Sequence, residues 1–97
     1  MEESEKLEPF ELKHLFDATI VIGADLAQTE VYAAMLRDGT RFTRVILWPG
    51  DTKQERIVDV DYWEGLGWID MYTGEPSVWS ELVAPSLDYH NAHRKNA

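Results

Sequence analysis

Over residues 56–62 apolar and polar positions alternate. Val58, Val60 and Tyr62 fall on one side, and Ile57, Asp59 and Asp61 on the other. A period of two predicts a strand with one buried face. Residues 68–73 continue the pattern, and Gly65 and Gly67 between them predict a tight connection. A hairpin closing at Glu64 and Gly67 sets Trp63 opposite Trp68, Asp61 opposite Asp70 and Asp59 opposite Tyr72. Ile69 and Met71 then join Val60 and Tyr62 on the inward face, and the acids and remaining aromatics form the outward one.

Elsewhere the pattern is less even. Thr19, Ile20, Val21 and Ile22 are β-branched and predict a strand. Residues 9–16 suit a short helix, with Pro9 in its first turn and Leu12, Leu15 and Phe16 on one side. An extended strand with Phe10, Leu12 and His14 alternating is the competing reading. Residues 26–37 also read two ways. Asp25 and Gln28 have capping-box spacing, and the alanines with Met35 and Leu36 favour a helix, giving a β-α-β start. Arg37, Asp38, Gly39 and Thr40 form a hairpin signal between two apolar runs, and strand-turn-strand is preferred.

Pro49, Gly50, Asp51 and Thr52 predict a turn, as do residues 74–77. Ser77 suits the N-cap of a short helix carrying Val78, Trp79, Leu82 and Val83, which Pro85 ends. Trp79 and Leu82 are expected to cover the sheet. Residues 1–8 and 88–97 are expected to be flexible termini. The chain therefore predicts one α+β, mainly β domain over residues 1–97. It is a twisted antiparallel sheet of four or five strands, open or curled into a small barrel, flanked by short terminal helices.

Composition narrows the function. The 97 residues carry 18 acids against nine Lys and Arg, a formal net charge of −9. Nucleic-acid binding needs clustered cations, and the one basic grouping is Arg37, Arg41 and Arg44. A protein partner with a basic surface fits better. The chain has no cysteine, which removes disulfides and thiolate chemistry. The acidic residues 1–6 do not read as a secretory signal, and no apolar run approaches the roughly 20 residues of a membrane helix. A cytoplasmic location follows as the expectation, with no membrane contact.

Two features carry candidate chemistry. Asp59, Asp61 and Asp70 are acids brought together by the expected register, and like charges opposed across strands repel. A cation should sit among them: Arg41, Arg44 or Arg56, a partner, or a ligand. Trp63, Trp68 and Tyr72 form an aromatic set beside those acids and Glu64, suited to an interface anchor or a cation site. His90 and His93, with Asp88 nearby, have helical metal-ligand spacing but lie in a polar tail. His14 lies among leucines and reads as structural. No nucleophile elbow, P-loop or dinucleotide motif occurs.

The expected function is a non-enzymatic interaction protein. It would bind a protein partner through Asp59, Asp61, Trp63, Glu64, Trp68, Asp70 and Tyr72, as an inhibitor or neutralising factor of the phage counter-defence or immunity type. A binder of an organic cation in an aromatic pocket is the alternative. No cofactor, metal or catalytic residue is expected. A homodimer burying the same tryptophans remains open.

Overall fold

A computed structural model describes residues 7–50 and 54–94. Five strands, β1 (Glu11–Ile22), β2 (Asp25–Met35), β3 (Arg41–Pro49), β4 (Arg56–Trp63) and β5 (Gly67–Asp70), precede one helix, α1 (Val78–Arg94). The strands form an antiparallel meander in chain order, β1-β2-β3-β4-β5. The sheet does not close into a barrel. Instead α1 packs across one face against β1, β4 and β5, bridging the two sides that closure would have joined.

The preferred strand reading of residues 26–37 is the observed one. The β2–β3 hairpin turns through Gly39, whose φ of 93° and N–H bond to the Leu36 carbonyl (3.0 Å) require a residue at ease in the left-handed region. The short helix over residues 9–16 does not form, because β1 runs through that segment. A bulge between His14 and Phe16 leaves Leu15 without a register partner. The extra residue turns both Leu15 and Phe16 against the core. That breaks the period of two and gives the stretch its helical look.

Ile20, Ala27, Val31, Val45, Leu47, Val58 and Val60 supply the core from the sheet, and Val83 and Leu87 supply it from α1. Ser77 caps the helix as expected. Its Oγ accepts from the Ser80 N–H at 3.0 Å, and the Ser80 Oγ accepts from the Ser77 N–H at 2.8 Å.

Pro85 does not end the helix, which continues to Arg94 through residues expected as tail. Leu87, two residues beyond the proline, is buried in the core. Burial of Leu87 offsets the hydrogen bond that Pro85 cannot donate. Val83 and Leu87 form the buried contact, with Trp79 beside it, whereas Leu82 is only half-buried. Among the described residues no helix is long and apolar enough to cross a membrane. Asp51, Thr52 and residues 1–6 and 95–97 lie outside the described residues, as does the His93 side chain.

Candidate functional site

The β4–β5 hairpin closes one residue away from the expected register. Its loop holds three residues, Glu64, Gly65 and Leu66, and Trp63 pairs with Gly67. The Leu66 N–H bonds the Trp63 carbonyl at 3.0 Å, with Gly65 and Gly67 at φ 94° and 81°. Two residues free to take positive φ accommodate the longer loop. The slip by one sends Trp63 and Trp68 to opposite faces of the sheet. Tyr62 now faces Trp68, Asp61 faces Ile69, and Val60 faces Asp70.

The expected knot of three carboxylates is therefore absent, and each acid has a separate setting. Asp59 is 1% exposed and pairs with Arg44 on β3, its register partner. Arg44 Nε and Nη2 donate to the two carboxylate oxygens at 2.8 and 3.0 Å. Arg44 is the cation that the sequence required, drawn from the three arginines named. Its Nη2 also donates to the Leu7 carbonyl at 2.7 Å. The Tyr72 hydroxyl donates to Asp59 and accepts from the Leu7 N–H at 3.1 Å. The N–H and the carbonyl of Leu7 are thus both held by one polar network built on the buried Arg44–Asp59 pair. Burial, and then the bond to Asp59, push the Tyr72 phenol above its ordinary value, and Asp59 holds the Arg44 guanidinium further up.

Asp70 builds the turn after β5. Its carboxylate accepts from the N–H groups of Tyr72 (2.7 Å) and Thr73 (3.3 Å). Asp61 lies on the face away from α1, beside Trp63, Ile69 and Met71 along a groove of about 390 Å³. Burial there raises its carboxyl above the usual carboxylate value. Glu64 stands exposed in the loop.

The aromatic residues divide in the same way. Trp63 is exposed at the hairpin tip, with Tyr62 and Leu66 beside it in sequence, at 58, 60 and 55% respectively. Trp68 is half-buried against the core, edge-on to Tyr62 at 5.4 Å. Its indole N–H donates to Asp88 on α1 at 2.8 Å. Tyr72 serves the Asp59 network as described.

Of the seven residues singled out, Trp63 and Glu64 stand exposed side by side at the tip, with the half-buried Asp61 next to Trp63. Sequence reasoning missed Leu66, whose signal was an apolar residue between two turn glycines. It also missed Glu81 and Asp88, seven residues apart on one helix face, because the helix was ended between them at Pro85.

His14 and His90 have local partners. His14 Nε2 lies 2.7 Å from Asp17 Oδ1, and the ring packs edge-on to Tyr32. His90 stacks on Phe16 at 4.1 Å. Among the described residues no three His, Asp or Glu side chains gather as a metal-ligand set. Comparison of the chain with protein-family models, curated proteins and solved structures found no match.

Proposed function

We propose that the protein is a non-enzymatic interaction module that grips a protein partner with the tip of its β4–β5 hairpin, acting as an inhibitor or neutralising factor. One observation carries this reading: Tyr62 and Trp63 at the end of β4 and Leu66 in the glycine-set loop are all more than half exposed around one hairpin tip. Exposed large apolar side chains scattered singly are ordinary, but three around one hairpin tip are not. Aromatic anchors of this kind carry much of the energy at protein interfaces. Asp61 and Glu64 lie within the same tip, and the chain carries a net charge of −9. Both favour a partner with a basic surface.

The test is affinity capture from host lysate with three proteins of verified fold: wild type, Trp63→Ala with Leu66→Ala, and Val78→Ala. Val78 is an exposed apolar residue at the start of α1 and is not part of the β4–β5 hairpin. Wild type and Val78→Ala should retain one partner that the tip variant loses. Equal retention by all three overturns the reading.

A further inference from the structure

We propose that the groove between α1 and the β4–β5 hairpin receives an arginine side chain from the protein partner. The inference rests on the hairpin tip being the partner-binding surface, and it places the partner's cation on the helix-covered side of that tip. The groove measures about 350 Å³, and Tyr62, Leu66, Trp68, Pro85, Glu81 and Asp88 lie along it. No Lys or Arg is among its described lining residues.

Three features suit a guanidinium. The first is an aromatic wall. Tyr62 and Trp68 meet edge-to-face at 67°, which turns the two ring faces in different directions and offers a planar cation a surface to stack on. The second is a fixed acid. Asp88 Oδ1 accepts the Trp68 indole N–H at 2.8 Å, and this bond orients the carboxylate beside the ring. Oδ2 is left to accept from a donor entering the groove. The third is a second acid at the far end. Glu81 precedes Asp88 by two helical turns, roughly 10 Å along α1, so the groove is acidic at both ends and apolar between.

Arginine fits this arrangement better than lysine. Its flat fork can lie against a ring while donating sideways to a carboxylate, whereas an ammonium is a strongly hydrated point charge. The molecule already makes that contact within itself. Arg37 sits over the Phe10 ring and Arg56 over the Trp79 ring, each at 4.6 Å from the centroid. The Tyr62–Trp68 groove offers similar chemistry with no cation among its described lining residues. A side chain reaching in from a partner seated on Trp63 and Leu66 meets this groove directly, because Leu66 borders it.

The experiment is an NMR titration of the ¹⁵N-labelled protein with N-acetyl-arginine methylamide as the probe. Four indole N–H signals are expected from the four tryptophans. The Trp68 signal should shift saturably at millimolar probe, and the Trp48, Trp63 and Trp79 signals much less. The lysine analogue and tetramethylammonium should bind several-fold more weakly. Glu81→Gln with Asp88→Asn keeps the shape of the groove and an acceptor for the indole. It should weaken the probe about five- to tenfold, the scale of losing charge-assisted contacts to exposed carboxylates while the aromatic wall stays in place.

Absence of a saturable Trp68 shift overturns the inference. So does equal movement of all four indoles, tetramethylammonium binding as tightly as the arginine derivative, or an unaltered titration in the double variant. The capture experiment fails independently. A partner held through Trp63 and Leu66, with a silent groove, leaves the tip reading standing and removes this one. A responsive groove with no partner at the tip does the reverse.

Discussion

Arg44 and Asp59 face one another as register partners on β3 and β4, joined by two hydrogen bonds of 2.8 and 3.0 Å. Their side chains are 9 and 0% exposed. A pair this deep recovers its desolvation only while both members are present. Asp59→Ala should therefore cost about 3–5 kcal/mol in urea unfolding, because it strands the guanidinium. The double variant Arg44→Met with Asp59→Leu should be more stable than either single one. If the double variant is the least stable of the set, the pair is stabilising beyond the charge it neutralises.

Tyr72 reaches the same pair and holds the N-terminal segment to it. Tyr72→Phe keeps the ring and removes the hydroxyl. The expected loss is about 1–2 kcal/mol, and the Leu7 amide should exchange with solvent much faster than in wild type. Unchanged Leu7 exchange would show that Arg44 alone secures the segment.

Asp61 gives a pH dependence with a definite sign. Burial raises its folded-state value above the ordinary 3.8, so the folded chain binds this proton more readily than the unfolded chain does. Its ionised form therefore works against folding at neutral pH. That penalty is relieved as pH falls through the raised folded value, and it is gone below the unfolded one. Asp61→Asn should be more stable than wild type at pH 7, and the difference should vanish towards pH 3. A difference that grows on acidification would contradict this.

Trp63 and Trp68 should separate in stability measurements. Trp63 is exposed, so its replacement by alanine should move the unfolding midpoint little. Trp68 packs on the core and bonds Asp88. Trp68→Ala should cost about 3 kcal/mol. Equal costs would mean that the tip tryptophan is packed rather than displayed.

Pro85 lies well inside α1. Pro85→Ala restores a backbone donor there and should raise the melting temperature, by at most the roughly 3 kcal/mol that proline costs in a helix interior. A lower melting temperature would mean that the ring's packing on the Trp68 side outweighs the missing bond.

What the sequence revealed was local. The alternation over residues 56–62, the Asp38–Gly39 turn and the Ser77 cap each depend on residues within one turn or strand, and each is present. What it hid depended on distant partners or on a single residue of slippage. One bulged leucine erased the strand period in β1. One extra loop residue, Glu64, dispersed the three aspartates and separated Trp63 from Trp68. Pro85 failed to stop α1 because Leu87 is buried beyond it. Three arginines were eligible for Asp59, and the β3–β4 register selected Arg44 alone.

The meander order has a consequence for assembly. Each strand pairs with its neighbour in sequence, so the sheet can zip up hairpin by hairpin, each closure spanning few residues and costing little chain entropy. Two closures are of another kind. α1 must fold back across to β1, and Leu7 must meet Tyr72, 65 residues away. A chain still emerging from the ribosome could thus carry a paired sheet whose core face has no lid until α1 is made. In that interval Val31, Val45, Val58 and Val60 present an apolar surface to the surroundings. Synthesis of α1 then becomes the step that ends this face's exposure to aggregation.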